Sequence, residues 1–141
     1  MGIECSKEGD EMIKNTSSGI AKNQEAFQKD IDWVLTLFRE GDYLDDKKSA
    51  DEFIRNRVKA LLKKHLNISV TFSNDNPLSM MEMIYLSLLF SDYKRKEITW
   101  IIKNSLDTLY TYDKRIKKKL KTRTRESILR AIISKKYIKF N

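Results

Sequence analysis

Lysine is concentrated in one short stretch of the chain, between residues 114 and 119. The stretch holds four lysines: Lys114, Lys117, Lys118 and Lys119. Two polar side chains, Tyr110 and Thr111, lie about one helical turn before it. Ammonium groups lower the free energy of approach to phosphates, and polar side chains near a helix start reach the edges of bases. This group of side chains therefore predicts contact with a polyanion, and a nucleic acid is the first candidate.

The charge of the whole chain is unevenly divided. The 141 residues carry a net charge of +8. Residues 1–77 hold 12 Lys and Arg against 14 Asp and Glu, a net of −2, whereas residues 78–141 hold 16 against 6, a net of +10. The positive charge of residues 78–141 attracts a nucleic acid, an acidic membrane surface or an acidic protein.

Catalysis and metal binding receive no support from the residues. His65 is the only histidine and Cys5 the only cysteine, so the chain lacks the ligands of a structural zinc site. We expect His65 to be a partly exposed residue on a helix surface. The sequence has no glycine-rich phosphate loop. It therefore predicts a protein that is not an enzyme and needs no metal or cofactor.

The same residue counts predict the cellular compartment. A single cysteine excludes a disulfide within the chain and fits a reducing environment. No apolar run approaches the length of about 18 residues that a membrane-spanning helix needs. We therefore expect a soluble, intracellular protein.

Apolar residues recur at helical spacing along most of the chain and predict an all-α fold. The expected helices lie near 27–40, 50–66, 79–90, 95–103, 107–120 and 124–134, with a possible short extended piece at 67–73. Ser79 and Glu82 have the spacing of a capping box. The turn formers at 74–77 (NDNP) mark the main boundary. The expected parts are a flexible N-terminal arm at 1–24, a helical module at 25–77 and a basic domain at 78–141.

A tight polar corner separates the fourth and fifth expected helices. Asn104 is suited to a left-handed turn conformation, and either Ser105 or Asp107 can cap the helix that follows. A helix, a short turn and a second helix with outward cations form a helix-turn-helix arrangement. Because the major groove admits one α-helix, the corner would serve to present the helix at 107–120 to DNA.

Residues 78–130 resemble the LuxR/GerE-type DNA-binding domain of bacterial regulators, without a gap. The resemblance is carried by Leu78, Ser79, Glu82, Lys96, Glu97, Ile98, Ser105, Thr108, Leu109, Ile116, Lys119, Leu120, Thr124 and Arg125. The family usually has glycine where Asp92 and Lys121 stand, and Lys and His where Tyr110 and Tyr112 stand. Region 4 of sigma factors has a similar four-helix layout.

The resemblance implies a sequence-specific, DNA-binding transcription regulator of the bacterial cytoplasm, associated with the nucleoid, whose partner is double-stranded DNA. Carried over by position, three side chains would face base edges: Tyr110, Thr111 and Lys114. Four would lie near phosphates: Lys96, Ser105, Thr108 and Lys119. Lys117 and Lys118 would add attraction that is blind to sequence. The family pairs through its last helix, so Leu129, Ile132 and Ile133 are expected to be partly exposed in one subunit and buried in a homodimer.

Other interpretations stay open. The helices at 25–77 either form a dimer or protein-docking surface, or simply cover the back of the basic domain. We expect Trp33 and Trp100 to be core or interface residues. The N-terminus MGIECS fits an acylation pattern, with Gly2 for a myristoyl and Cys5 for a palmitoyl chain, which would make a membrane-peripheral protein. A third possibility is an interaction module that holds an acidic partner protein.

Overall fold

The computed structural model describes residues 21, 23–40 and 47–141, with the backbone alone for 47–50. These residues form six helices and two short strands: α1 Gln24–Arg39, α2 Lys47–Leu66, β1 Ile68–Val70, α3 Met80–Leu89, α4 Arg95–Ile102, α5 Leu106–Leu120, α6 Arg125–Ser134 and β2 Ile138–Phe140. Each helix lies within three residues of the bounds that its sequence predicts. The mostly helical character is confirmed. The acylation motif, and the expected N-terminal arm up to residue 20, lie outside the described residues.

A two-stranded sheet adds to the helices. β1 and β2 run antiparallel, with Ile68 opposite Phe140 and Val70 opposite Ile138. The sequence predicted an extended piece at 67–73 but no partner for it. This pairing ties the segment that follows α6 to the segment that follows α2. Ile68, Val70 and Ile138 are buried, so the sheet contributes to the core.

Helix α3 lies at the centre of the molecule. Every residue from Glu82 to Leu89 is buried, and the helix packs against α2, α4 and α5. A helix whose apolar residues point in all directions must be covered on all sides. Its start has the predicted capping box, in which Ser79 Oγ accepts from the Glu82 N–H and Glu82 Oε1 accepts from the Ser79 N–H.

Helix α1 covers one side of α4. It packs against α2 and α4, and two of its side chains reach the C-terminal end of α4. The Gln28 amide donates to the Ile101 carbonyl and the Arg39 guanidinium to the Ile102 carbonyl, each at 2.8 Å. Carbonyls in the last turn of a helix lack partners within the helix. Helix α1 therefore braces α4, whereas the use of the N-terminal helices in docking or dimerisation stays a prediction.

One side chain of the N-terminal helices differs from expectation. His65 is not a surface residue: its side chain is 6% exposed, its Nε2 lies 2.6 Å from Asp30 Oδ2, and its ring packs on Phe27. Packing of α2 on α1 turns the imidazole inward, and the Asp30 carboxylate satisfies its nitrogen. Trp33 and Phe53, in contrast, are about half exposed and contact each other edge to face.

Candidate nucleic-acid interface

The corner between α4 and α5 has a defined backbone geometry. The left-handed residue is Lys103, with φ 58° and ψ 41°, and not Asn104 as expected. Asn104 follows the turn, and its side-chain amide donates to the Tyr112 hydroxyl at 3.1 Å. Ser105 is the cap, because its hydroxyl accepts from the Thr108 N–H at 3.2 Å. The corner therefore turns the chain within three residues and starts α5 with a side-chain cap on the Thr108 N–H.

Helix α5 has one buried and one exposed side. Leu109 and Ile116 are fully buried and hold it against the core. The opposite side exposes a run of polar and basic side chains, namely Tyr110, Thr111, Lys114, Lys117 and Lys118. Among the described residues, no carboxylate pairs with any of these three lysines. Their charges are available to an anion outside the fold.

Lys119 is placed differently from its neighbours. Its Nζ lies 2.7 Å from Glu82 Oε1, and Glu82 is 1% exposed. A buried carboxylate needs a compensating cation. Lys119 thus forms an ion pair with Glu82 within the protein, although its position in the sequence predicts a contact with a DNA phosphate.

The remaining predicted phosphate contacts lie around the start of α5. Ser105 is exposed, and its hydroxyl is 3.0 Å from that of the half-buried Thr108. Lys96 is exposed on α4. Lys96, Ser105 and Tyr110 line one open groove of about 940 Å³ between the two helices. We call it the α4–α5 groove; Trp100 and Leu106 complete its apolar part. The structure thus brings a predicted base contact and two predicted phosphate contacts to one surface.

A polar network that the sequence did not reveal connects this surface to the core. The Tyr85 hydroxyl donates to Asp113 Oδ1 at 2.6 Å, and Arg95 bonds both groups, with 3.0 Å to the Tyr85 oxygen and 3.2 Å to Asp113 Oδ2. The guanidinium also lies over the Tyr110 ring. Burial, and then the bond to Asp113, raises the pKa of Tyr85, which keeps its donor proton. The members come from α3, α4 and α5, so no spacing in the sequence marks them.

Two loop residues have left-handed backbones where the LuxR-type family usually has glycine. Asp92 has φ 72°, and Lys121, which ends α5, has φ 56° and ψ 47°. Glycine adopts this conformation without the steric cost that a Cβ imposes. At these two positions the chain therefore has a backbone conformation that suits glycine, while carrying Asp and Lys.

The last helix only partly fits the expected dimer surface. Ile132 is 0% exposed and belongs to the core, so its predicted partial exposure is wrong. Helical geometry explains the difference, because neighbouring residues lie about 100° apart around the helix. Ile133 is half exposed and Leu129, one turn earlier, is half-buried. These two side chains line a cleft with Phe90 and Phe140.

Comparison with known proteins identifies no relative: no protein-family model, curated protein or solved structure matches this chain. Within the described part, no helix combines the length and apolarity that crossing a membrane requires. The described residues also contain no cluster of three His, Cys, Asp or Glu side chains that could hold a metal ion.

Proposed function

We propose that the chain is a DNA-binding transcription regulator that inserts α5 into the major groove of duplex DNA. One observation carries the proposal: α5 buries Leu109 and Ile116 and turns lysines without a described carboxylate partner outward, directly after a tight corner that joins it to α4. A helix held in this way presents one exposed face to solvent, and the major groove admits one helix.

The contacts divide into those that read sequence and those that position the protein. Tyr110, Thr111 and Lys114 lie in the first turns and the middle of α5, where a recognition helix reaches base edges. Lys117 and Lys118 lie further along the helix and add attraction to phosphates, which carries no sequence information.

Contacts at the start of α5 come from the corner and from α4. Ser105 and Thr108 lie at the helix N-terminus, where free N–H groups and the helix dipole favour a phosphate. Lys96 adds a cation from α4. Lys119 is left out of this set, because its ammonium is bonded to Glu82.

The resemblance to the LuxR-type family supports the same function. The left-handed backbones at Asp92 and Lys121, where that family has glycine, agree with the register of the sequence match. The family implies a homodimer, and the exposed Ile133 with Leu129 on α6 is the surface that we assign to pairing. It also implies a bacterial cytoplasmic protein bound to the nucleoid.

A salt titration of duplex binding tests the proposal. The full chain is titrated against a random duplex and a duplex enriched by selection, and we expect log K to fall linearly with log salt concentration. The double variant Lys117→Ala/Lys118→Ala should have a slope smaller by about two units. A double variant on α2, Lys59→Ala/Lys63→Ala, removes the same charge from another exposed surface and should keep the slope closer to that of the wild type.

Two results would contradict the proposal. One is the absence of duplex affinity at low salt, in which case the basic helix serves a membrane or an acidic protein. The other is an equal change of slope in the α5 and α2 variants, since binding would then depend on net charge alone.

A further inference from the structure

The α4–α5 groove contains the most exposed large apolar side chain of the described residues. Trp100 is 73% exposed, and Leu106 and Tyr110 lie on the facing helix with about half of their surface exposed. Exposed aromatic residues in a concave site are typical of binding surfaces. None of the duplex contacts assigned above involves Trp100. Its exposed ring is therefore available to a ligand group other than those of the duplex.

One wall of the groove is held in place from the core. The Tyr110 ring lies under the Arg95 guanidinium, 5.8 Å from its central carbon, and Arg95 is itself bonded to Asp113 and to Tyr85. Tyr85 is fully buried. A ring supported on one face by a fixed guanidinium can offer its other face to a planar group. This chain of contacts prepares an aromatic platform before any ligand arrives.

Cations surround the aromatic part. Lys94, Lys96 and Lys103 line the groove and are exposed, and no described carboxylate pairs with them. Asp92 is the only carboxylate in the lining. The groove therefore combines flat aromatic surfaces with an excess of positive charge.

We propose that the α4–α5 groove binds an unpaired segment of nucleic acid, whose bases stack on Trp100 and Tyr110 while its phosphates contact the surrounding lysines. This proposal rests on the proposed function in taking a nucleic acid as the ligand. Grooves that bind single strands combine the same two elements, a cationic path for the backbone and aromatic platforms for the bases.

An acidic peptide is the competing ligand, and the structure favours the nucleic acid for two reasons. First, the free face of the tyrosine in the tyrosine–arginine stack is suited to contact a second planar group. Every nucleotide supplies such a group in its base, whereas few residues of an acidic peptide do. Second, the groove is continuous with the exposed lysine face of α5 through Tyr110. One polyanion can therefore cover both surfaces.

Tryptophan fluorescence gives a direct test. The chain has two tryptophans, so in the variant Trp33→Phe all tryptophan emission comes from Trp100. This variant is titrated with a single-stranded oligothymidylate, an abasic strand of the same length, a duplex, and a polyglutamate peptide containing leucine. We expect the oligothymidylate to quench Trp100 emission, and the abasic strand and the peptide to leave it nearly unchanged.

Binding of labelled strands to chains with the native Trp33 supplies the second measurement. Trp100→Ala should weaken oligothymidylate binding on the order of tenfold or more, because stacking on an aromatic side chain is lost. Its duplex affinity should be unchanged, and Trp100→Phe should restore part of the single-strand affinity. Trp33→Ala is the matched control, since it removes an exposed tryptophan from α1 and should change neither affinity.

Three results would overturn the inference. Equal binding of the abasic strand and the oligothymidylate would leave charge alone as the cause. Quenching by the peptide, with tighter binding than the oligothymidylate, would make the groove a protein-docking site. Equal losses of duplex and single-strand affinity in Trp100→Ala would make the groove part of the duplex face. A different result separates the two proposals. If the wild-type chain binds no duplex but still binds single strands through Trp100, the proposed regulator function is refuted and this inference is supported.

Discussion

The Glu82 carboxylate joins the start of α3 to the end of α5. Its Oε1 accepts from the Ser79 backbone N–H at 2.8 Å and from Lys119 Nζ at 2.7 Å. The first bond closes the capping box of the central helix, and the second anchors the last turn of the basic helix. A single buried acid thus couples the core to the helix that we assign to DNA.

This coupling predicts a stability difference between two neighbouring lysines. Lys119→Ala leaves the buried Glu82 carboxylate without its cation and should lower the free energy of unfolding by about 1–3 kcal/mol. Lys118→Ala removes the same charge from an exposed position and should change it by less than about 0.5 kcal/mol. Urea unfolding monitored by circular dichroism measures both. Equal stabilities of the two variants would show that the Glu82–Lys119 contact contributes nothing.

A second prediction separates sequence reading from general attraction on α5. Lys114→Ala should cost about 1–3 kcal/mol of binding to the selected duplex and relax the preference at one base position. Lys118→Ala should weaken selected and random duplexes alike and reduce the salt slope by about one unit. Competition binding against single-base variants of the selected site distinguishes the two effects. If Lys114→Ala weakens all duplexes equally, Lys114 contacts only phosphate.

The left-handed backbone at the end of α5 predicts a stabilising glycine. Lys121→Gly removes the Cβ that is costly at φ 56° and should raise the free energy of unfolding by about 0.5–1 kcal/mol. Lys118→Gly, inside the same helix, should lower it by about 1 kcal/mol. Thermal and urea unfolding of both variants test the pair. A loss of stability in Lys121→Gly equal to that in Lys118→Gly would contradict the assigned cap conformation.

The contact between Asp30 and His65 predicts a pH dependence of stability. The hydrogen bond from His65 lowers the pKa of Asp30. A carboxyl with a lower pKa in the folded state contributes stability that is fully present above its unfolded pKa, about 3.9, and is lost as pH falls through the folded value. Asp30→Asn should therefore make stability less dependent on pH below about pH 4.

Urea unfolding midpoints across acidic pH measure this effect. Asp51→Asn removes a carboxylate from the exposed side of α2 and is the matched control, which should keep the acid dependence of the wild type. If Asp30→Asn and the wild type lose stability in parallel as pH falls, Asp30 does not carry the effect.

The proposed dimer predicts different effects for adjacent residues of α6. Ile133→Glu places a charge on the half-exposed apolar surface and should shift the chain from dimer to monomer in sedimentation, with its helix content retained. Ser134→Glu adds the same charge at an exposed neighbouring position and should leave the dimer intact. Ile132→Ala should instead destabilise the fold by about 2–5 kcal/mol, because Ile132 is buried. A wild-type chain that sediments as a monomer with and without DNA would refute the pairing.

The helices were predictable because their signals are local. Apolar spacing, capping residues and turn formers act over a few residues, so the bounds of α3 and α5 follow from Ser79, Glu82 and Ser105 with little help from the rest of the chain. The uneven charge and the outward position of Lys114 and Lys118 also followed from sequence, since a helix with a buried face must expose the opposite one.

What the tertiary structure alone decided is which side chains meet across elements. Lys119 and Lys118 have the same chemistry and adjacent positions, yet one contacts Glu82, 37 residues away, and the other faces solvent. Burial of His65 by α1, the pairing of β1 with β2 and the support of Tyr110 by Arg95 likewise depend on how helices pack. The sequence determined the elements and their charge, because these depend on neighbouring residues. Partners distant in sequence depend on the three-dimensional packing of the core, which has no local signature.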